Sequence, residues 1–234
     1  MEKIYSFEEL TEIIARLRSP EGCPWDREQT HESLRTCMVE EAYEVVDGIR
    51  ILSETGSWDN LCEELGDVLL QVLMHSLIAE EEGLFGLNDV IQGISEKMIR
   101  RHPHVFGDQT AGDSEQVLVN WEEIKKQEKK DQAEGSQLRA VPHSLPALIR
   151  TSKVLKKIEN LGGDCPSESD SIRSARRCLD VLESGGGEDD AEVIGRLLGE
   201  ICNVSRKRKV HAEQALADYL EGTIKKAEFL DKPM

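Results

Sequence analysis

With 38% hydrophobic and 32% charged residues, the 234-residue chain has the balance of a soluble globular protein of one large or two small domains, and a disordered or fibrous chain is excluded. Aromatic residues are only 4%, and the Leu, Ile, Val, Ala and Glu that dominate favour helices over sheets, so the expected class is all-α. The charge of −17 is concentrated in residues 1–130, where 28 acidic side chains meet 13 basic ones. This argues against a nucleic-acid partner and leaves solvated helix faces or a cation site as explanations.

Along the chain, Ser6-Phe-Glu-Glu9 has the form of a capping box and predicts a helix from about residue 7 to Arg18. Ser19 to Asp26, with two prolines and a glycine, is expected as loop. Leu34, Cys37, Met38, Ala42, Val45, Val46, Ile49 and Leu52 recur at spacings of three and four, which marks a helix from about His31 to Ser53. After Glu54-Thr-Gly-Ser57 the stripe resumes at Leu61, Leu65, Val68, Leu69, Val72, Leu73 and Leu77, predicting a second long helix from about Trp58 to Glu82. So short a connection makes the two helices antiparallel neighbours. Asn88 is the expected cap of a third helix, stopped by His102-Pro103, and Ser114 of a fourth that carries Val117, Trp121 and Ile124.

Lys129 to Ser144 is polar and has no sustained apolar stripe, which suggests domains at 1–130 and 145–234 joined by a linker at 131–144. The second half opens with a helix from Leu145 to Ile158 and then echoes the first. Cys165-Pro166 answers Cys23-Pro24, and each is followed by a helical stripe, a turn, here Ser184 to Gly187, and a second stripe centred on Gly66 or Gly195. The expected architecture is a duplicated four-helix-type unit.

No run of about 18 apolar residues exists to span a membrane, and the opening MEKIYSFEEL is too polar for a signal peptide, so the expected location is cytoplasmic. The six cysteines form no CxxC and have no histidine at zinc-ligand spacing, which leaves them as small apolar fillers.

The chemistry centres on Glu40-Glu41-Ala-Tyr-Glu44 in the first long helix and Glu64-Leu-Gly-Asp67 in the second. Glu41 and Glu44 are three apart, as are Glu64 and Asp67, so each pair projects from one helix face. Counted from a turn near residue 56, the pairs lie about 13 and 10 residues out, at heights that differ by roughly one helical turn. Such carboxylates repel one another unless protonated or neutralised, and oxygen-only donors suit a hard ion such as Mg²⁺. The geometry alone leaves a cation site and a solvated acidic face both open. A di-iron site needs two ExxH pairs, and Glu28 to His31 is the only one. No GxxxxGK[ST] loop is present either.

EExxE followed after 19 residues by ExxD resembles the MazG family of the all-α NTP pyrophosphatase superfamily. GCPWDREQTHESL upstream, and EEGLFGLNDVIQGISEKMIRRHPHVFGD and NWEEIKKQE downstream, resemble the same family in the same order. The resemblance covers residues 1 to about 130. It implies a homodimer that hydrolyses nucleoside triphosphates to the monophosphate and pyrophosphate, with Mg²⁺ ligated by Glu41, Glu44, Glu64 and Asp67. Glu40 or Glu63 is then a candidate base for the attacking water. Lys97, Arg100 and Arg101, by themselves either phosphate contacts or complements to a helix C-terminus, become phosphate contacts. Trp121, by itself either core or stacking platform, is placed at the nucleotide with Lys125 one turn away.

The second half departs from this pattern. Arg176, Arg177 and Asp180 stand where its EExxE should be, Val193 and Arg196 at the ends of its ExxD, and no Trp follows Lys225-Lys226. It reads as a degenerate structural or dimerisation partner. The other reading kept open is a nucleotide-binding regulatory scaffold without turnover.

Overall fold

Residues 3–108, 110, 112–128, 138–185, 187 and 189–228 are described in a computed structural model of the chain, and their regular structure is entirely helical. The chain divides into two compact units, Met1–Lys125 and Lys126–Met234.

The first unit begins as expected. The Ser6 hydroxyl accepts the Glu9 amide, and the Glu9 carboxylate accepts the Ser6 amide, which opens α1 (Phe7–Arg18). The segment expected as loop up to Asp26 instead contains a short helix, α2 (Pro24–Glu28). A proline at the first helical position loses no hydrogen bond, since that amide has no partner inside the helix. Arg18 then holds the segment in place. Its side chain is 5% exposed, forks onto both carboxylate oxygens of Glu81 at 3.0 and 2.6 Å, and donates to the carbonyls of Asp26 and Gln29.

Thr30 and Ser33 exchange amide-to-hydroxyl hydrogen bonds, so residues 31–34 form turns and α3 (Arg35–Thr55) starts four residues later than the apolar stripe suggests. Gly56, at φ 78°, closes α3 in the left-handed region that favours glycine, and its amide donates to the Leu52 carbonyl. The antiparallel partner α4 (Asp59–Glu81) follows at once.

The two helices approach closely at the buried Gly48, where a Cβ would lie 2.9 Å from the Leu61 Cα. With residue 48 facing 61, antiparallel register sets Glu44 beside Glu64 and Glu41 beside Asp67. The two pairs therefore lie within about one residue of the same height, so the offset of a turn counted from residue 56 shrinks to roughly 1.5 Å.

Ile14, Leu34, Leu73, Met74 and Ile78 form the buried core of this unit, walled by Leu10, Leu69, Leu70, Leu77 and Leu87. That core belongs to the C-terminal half of α4. The stripe on α3 and early α4 is left uncovered within one chain, with Ile49 53% and Leu65 51% exposed. α5 (Leu87–Arg101) packs on α4. Its cap is Gly86, two residues before the expected Asn88, because the Asp89 carboxylate accepts the Gly86 amide at 2.8 Å. Pro103 starts α6 (Pro103–Phe106). In α7 (Ser114–Glu128) the capping side chain is Asp113, not Ser114, and it accepts the Gln116 amide at 2.8 Å.

Of the expected linker, residues 131–137 lie outside the described residues, and Val141 is buried. In the second unit α8 (Ala147–Asn160), α9 (Glu168–Ser184), α10 (Asp190–Lys207) and α11 (Ala212–Ala227) pack around α10. Ser167 caps α9, and Gly185 ends it at φ 65°. The buried Asn203 of α10 donates to the Pro166 carbonyl and the Ser171 hydroxyl. Arg206 and Lys207 pair with Glu159 of α8. Of the cysteines, Cys178 and Cys202 are buried fillers as expected, but Cys62 is exposed, and all six are free thiols.

Candidate active site

The α3–α4 register gathers the acidic motifs. Glu41, Glu64 and Asp67, all half-buried, offer one carboxylate oxygen each within 4.8 Å of one another. Opposite ligands of a magnesium octahedron are about 4.2 Å apart, so a hard divalent ion fits this oxygen-only set with small adjustments. Glu44 is exposed at the edge of the group, close enough to hydrogen bond with Glu41 and to repel Glu64. Asn60 donates to Glu64 at 2.8 Å and steadies it. Glu40 and Glu63 are exposed and border the cluster in sequence.

The electrostatics are those of anions lacking a counter-charge. Partial burial, then the hydrogen bond with Glu44 and repulsion from Asp67, Glu44 and Glu64, push the Glu41 carboxyl above its ordinary range. Glu64 moves the same way through desolvation and the charge of Glu44, with the Asn60 hydrogen bond opposing it. A bound cation removes the repulsion without requiring protonation.

A second group forms at the end of α5. Arg100 and Arg101 occupy its last turn and Lys97 is half-buried one turn back. The Arg101 guanidinium lies over the Trp121 ring, 5.7 Å from its centroid, so Trp121 is neither core nor isolated. Lys125 sits 3.8 Å from Glu122 on the same face of α7.

Two features escaped the sequence reading. The His102 ring stands at 85° to Trp121, centroids 4.9 Å apart, with its Nδ1 2.6 Å from the Met98 carbonyl. His31 and His75 meet Nδ1 to Nδ1 at 2.8 Å, with ring planes within 4°. Rings stacked face to face cannot bring nitrogens much closer than about 3.5 Å, so this pair lies in one plane across a single N–H···N bond. Neither contact has a spacing that announces it, because each joins residues of different turns or helices.

Residues 29–106 match the model of the MazG nucleotide pyrophosphohydrolase domain. The nucleoside triphosphate pyrophosphohydrolase of Escherichia coli K12 is 40% identical over 214 residues, covering 88% of this chain and 80% of that one. The Thermotoga maritima nucleoside triphosphate pyrophosphohydrolase/pyrophosphatase MazG is 41% identical over 211 residues, 90% of this chain and 79% of that one. The uncharacterized protein YabN of Bacillus subtilis is 42% identical over 217 residues, 91% of this chain, which spans only 43% of YabN.

Proposed function

The chain belongs to the MazG family of nucleoside triphosphate pyrophosphohydrolases, and from that membership we propose that it hydrolyses nucleoside triphosphates to the monophosphate and pyrophosphate with Mg²⁺. The observation that carries this reading is the convergence of Glu41, Glu64 and Asp67 from α3 and α4. Glu44 at the rim is the fourth ligand. When bound, the ion polarises the phosphate oxygens and neutralises the charge gathering on the leaving pyrophosphate.

The chain's own groups supply the rest. Water attacks the α-phosphorus in line, the bond from that phosphorus to the bridging oxygen breaks, and Glu40 or Glu63 takes the proton from the water. Lys97, Arg100 and Arg101 hold phosphate oxygens, the arginines through paired N–H groups. Trp121 stacks on the base, and Lys125 lies one turn further along α7. The relatives carry names of enzymes, which does not favour the reading as a scaffold without turnover.

The uncovered apolar residues of α3 and α4 support a homodimer in which a second copy covers Val39, Tyr43, Val46, Ile49 and Leu65. Six free thiols suit a reducing compartment, and among the described residues no helix is long and apolar enough to cross a membrane, so the reading places the protein in the cytoplasm.

Incubation with the common nucleoside triphosphates and Mg²⁺, resolving pyrophosphate from orthophosphate, tests the reaction. Glu41→Gln and Asp67→Asn are expected to abolish pyrophosphate release with helicity retained. Turnover within about twofold of wild type, under 0.5 kcal/mol in barrier, sinks the assignment.

A further inference from the structure

We propose that His102 is a positioning residue for the nucleotide base, acting by fixing the plane of Trp121. The proposal rests on the reading of Trp121 as the base platform.

His102 occupies the joint between α5 and α6, at φ −123° and ψ 57°, immediately before Pro103. A residue before proline is driven out of the helical region, so the imidazole leaves the helix at a fixed place. Its Nδ1 lies 2.6 Å from the Met98 carbonyl, which only accepts, so Nδ1 carries the proton and donates it there. That bond sets both tautomer and ring orientation. The ring so held stands at 85° to Trp121 with centroids 4.9 Å apart, within the range of an edge-to-face aromatic contact.

Arg101, the preceding residue, lies over the same indole at 5.7 Å. One dipeptide at the end of α5 therefore grips the base platform, and one of its members is also a phosphate contact. The separation between phosphate grip and base platform is set by this joint. His102 itself touches neither phosphate nor base. If it only capped α5, its loss would weaken every ligand that the helix end holds. If it orients Trp121, its loss weakens only ligands that carry a base.

The test compares binding of two probes to the full chain with Mg²⁺ by calorimetry. The probes are tripolyphosphate, which has no base, and the tightest-binding of the four common α,β-methylene nucleoside triphosphates. Trp121→Ala and His102→Ala are each expected to weaken the nucleotide analogue about tenfold and leave tripolyphosphate within about twofold. The double variant should be no worse than Trp121→Ala, because both changes remove one interaction. His102→Phe keeps an aromatic ring beside the indole but loses the bond to Met98, so it should recover only part of the loss, and that partial recovery also covers misfolding of the alanine variant. A normal His102→Ala beside a weakened Trp121→Ala overturns the proposal and leaves the Trp121 reading standing. Equal loss for both probes reduces His102 to a helix cap. A normal Trp121→Ala removes the platform reading and this proposal with it.

Discussion

Glu41 and Glu64 show what an acidic cluster without a counter-charge costs the protein. Their carboxyls titrate above the ordinary 4.5, so the stability they contribute is fully present below that value and is lost as pH rises through the raised folded-state value. At neutral pH the cluster is therefore a liability that a bound ion relieves. In EDTA at pH 7, Glu41→Gln should melt above wild type, by roughly 2 °C, and the gap should close as pH falls toward 4.5. Saturating Mg²⁺ should reverse the order. A hundredfold excess over the dissociation constant stabilises wild type by about 2.7 kcal/mol, whereas the variant has lost a ligand. Calorimetric melting with and without EDTA reads both.

His75 acts in the opposite sense. Burial, and then the neighbouring His31, hold its pKa below the ordinary 6.5, so its contribution is intact above that value and lost as pH falls through it. A doubly protonated pair also forfeits its N–H···N bond. Glu82, 3.9 Å from the His31 Nε2, and the Arg18–Glu81 pair are the charged groups near this corner. His75→Phe should flatten the decline of melting temperature as pH falls below about 6.5. An unchanged slope would show that another group titrates there. The acidic cluster was legible in the sequence because i,i+3 spacing on a helix is geometry that spacing alone determines. The histidine contacts were not, since residues 44 apart meet only through tertiary packing.

Among the elements, the long helices followed from periodicity, the short α2 did not because five residues carry no stripe, and the caps needed local competition to be resolved. Asp89 and Asp113 win over Asn88 and Ser114 because their carboxylates are in reach of the amides left open at each start. The register between α3 and α4 could only be bracketed from the turn, and Gly48 decides it. A methyl group there meets the Leu61 Cα at 2.9 Å and the Asn60 Oδ1 at 3.0 Å, so backbone must move, and Asn60 is the residue that steadies Glu64. Gly48→Ala should therefore cost about 1–3 kcal/mol from overpacking, less the gain of about 1 kcal/mol from helix propensity, and should weaken Mg²⁺ binding. Gly93 of α5 is the control. Nothing lies within 4 Å of its added Cβ, so Gly93→Ala should stabilise by up to about 1 kcal/mol with metal affinity unchanged. Chemical denaturation with metal titration on both variants separates helix spacing from helix propensity.

For the whole molecule, the two halves repeat a helical plan but not its chemistry. The α9–α10 pair mirrors α3–α4, yet Arg176, Arg177 and Arg196 are exposed where acids are expected, and Val193 is fully buried. Charge and packing both changed: three positions became cationic, and one became core. Arg196 now borders a cavity of about 170 Å³ with Leu155, Glu200 and Asn203. We infer that residues 145–234 serve assembly, so Arg176→Ala and Arg196→Ala in the full chain should leave pyrophosphate release within about twofold of wild type. A fragment ending at Lys130 keeps α7 entire, with Trp121 and Lys125, whereas a cut after Lys125 would remove its last residues. The longer fragment should retain activity wherever it still folds and associates, since a helical unit of about 130 residues can sustain its own core. Helicity and mass in solution are measured first, so that a fragment that is inactive for want of folding is recognised. Pyrophosphate release from an isolated 131–234 fragment, or its loss in Arg196→Ala with the Glu41 cluster and the assembly intact, would place the active site in the other half.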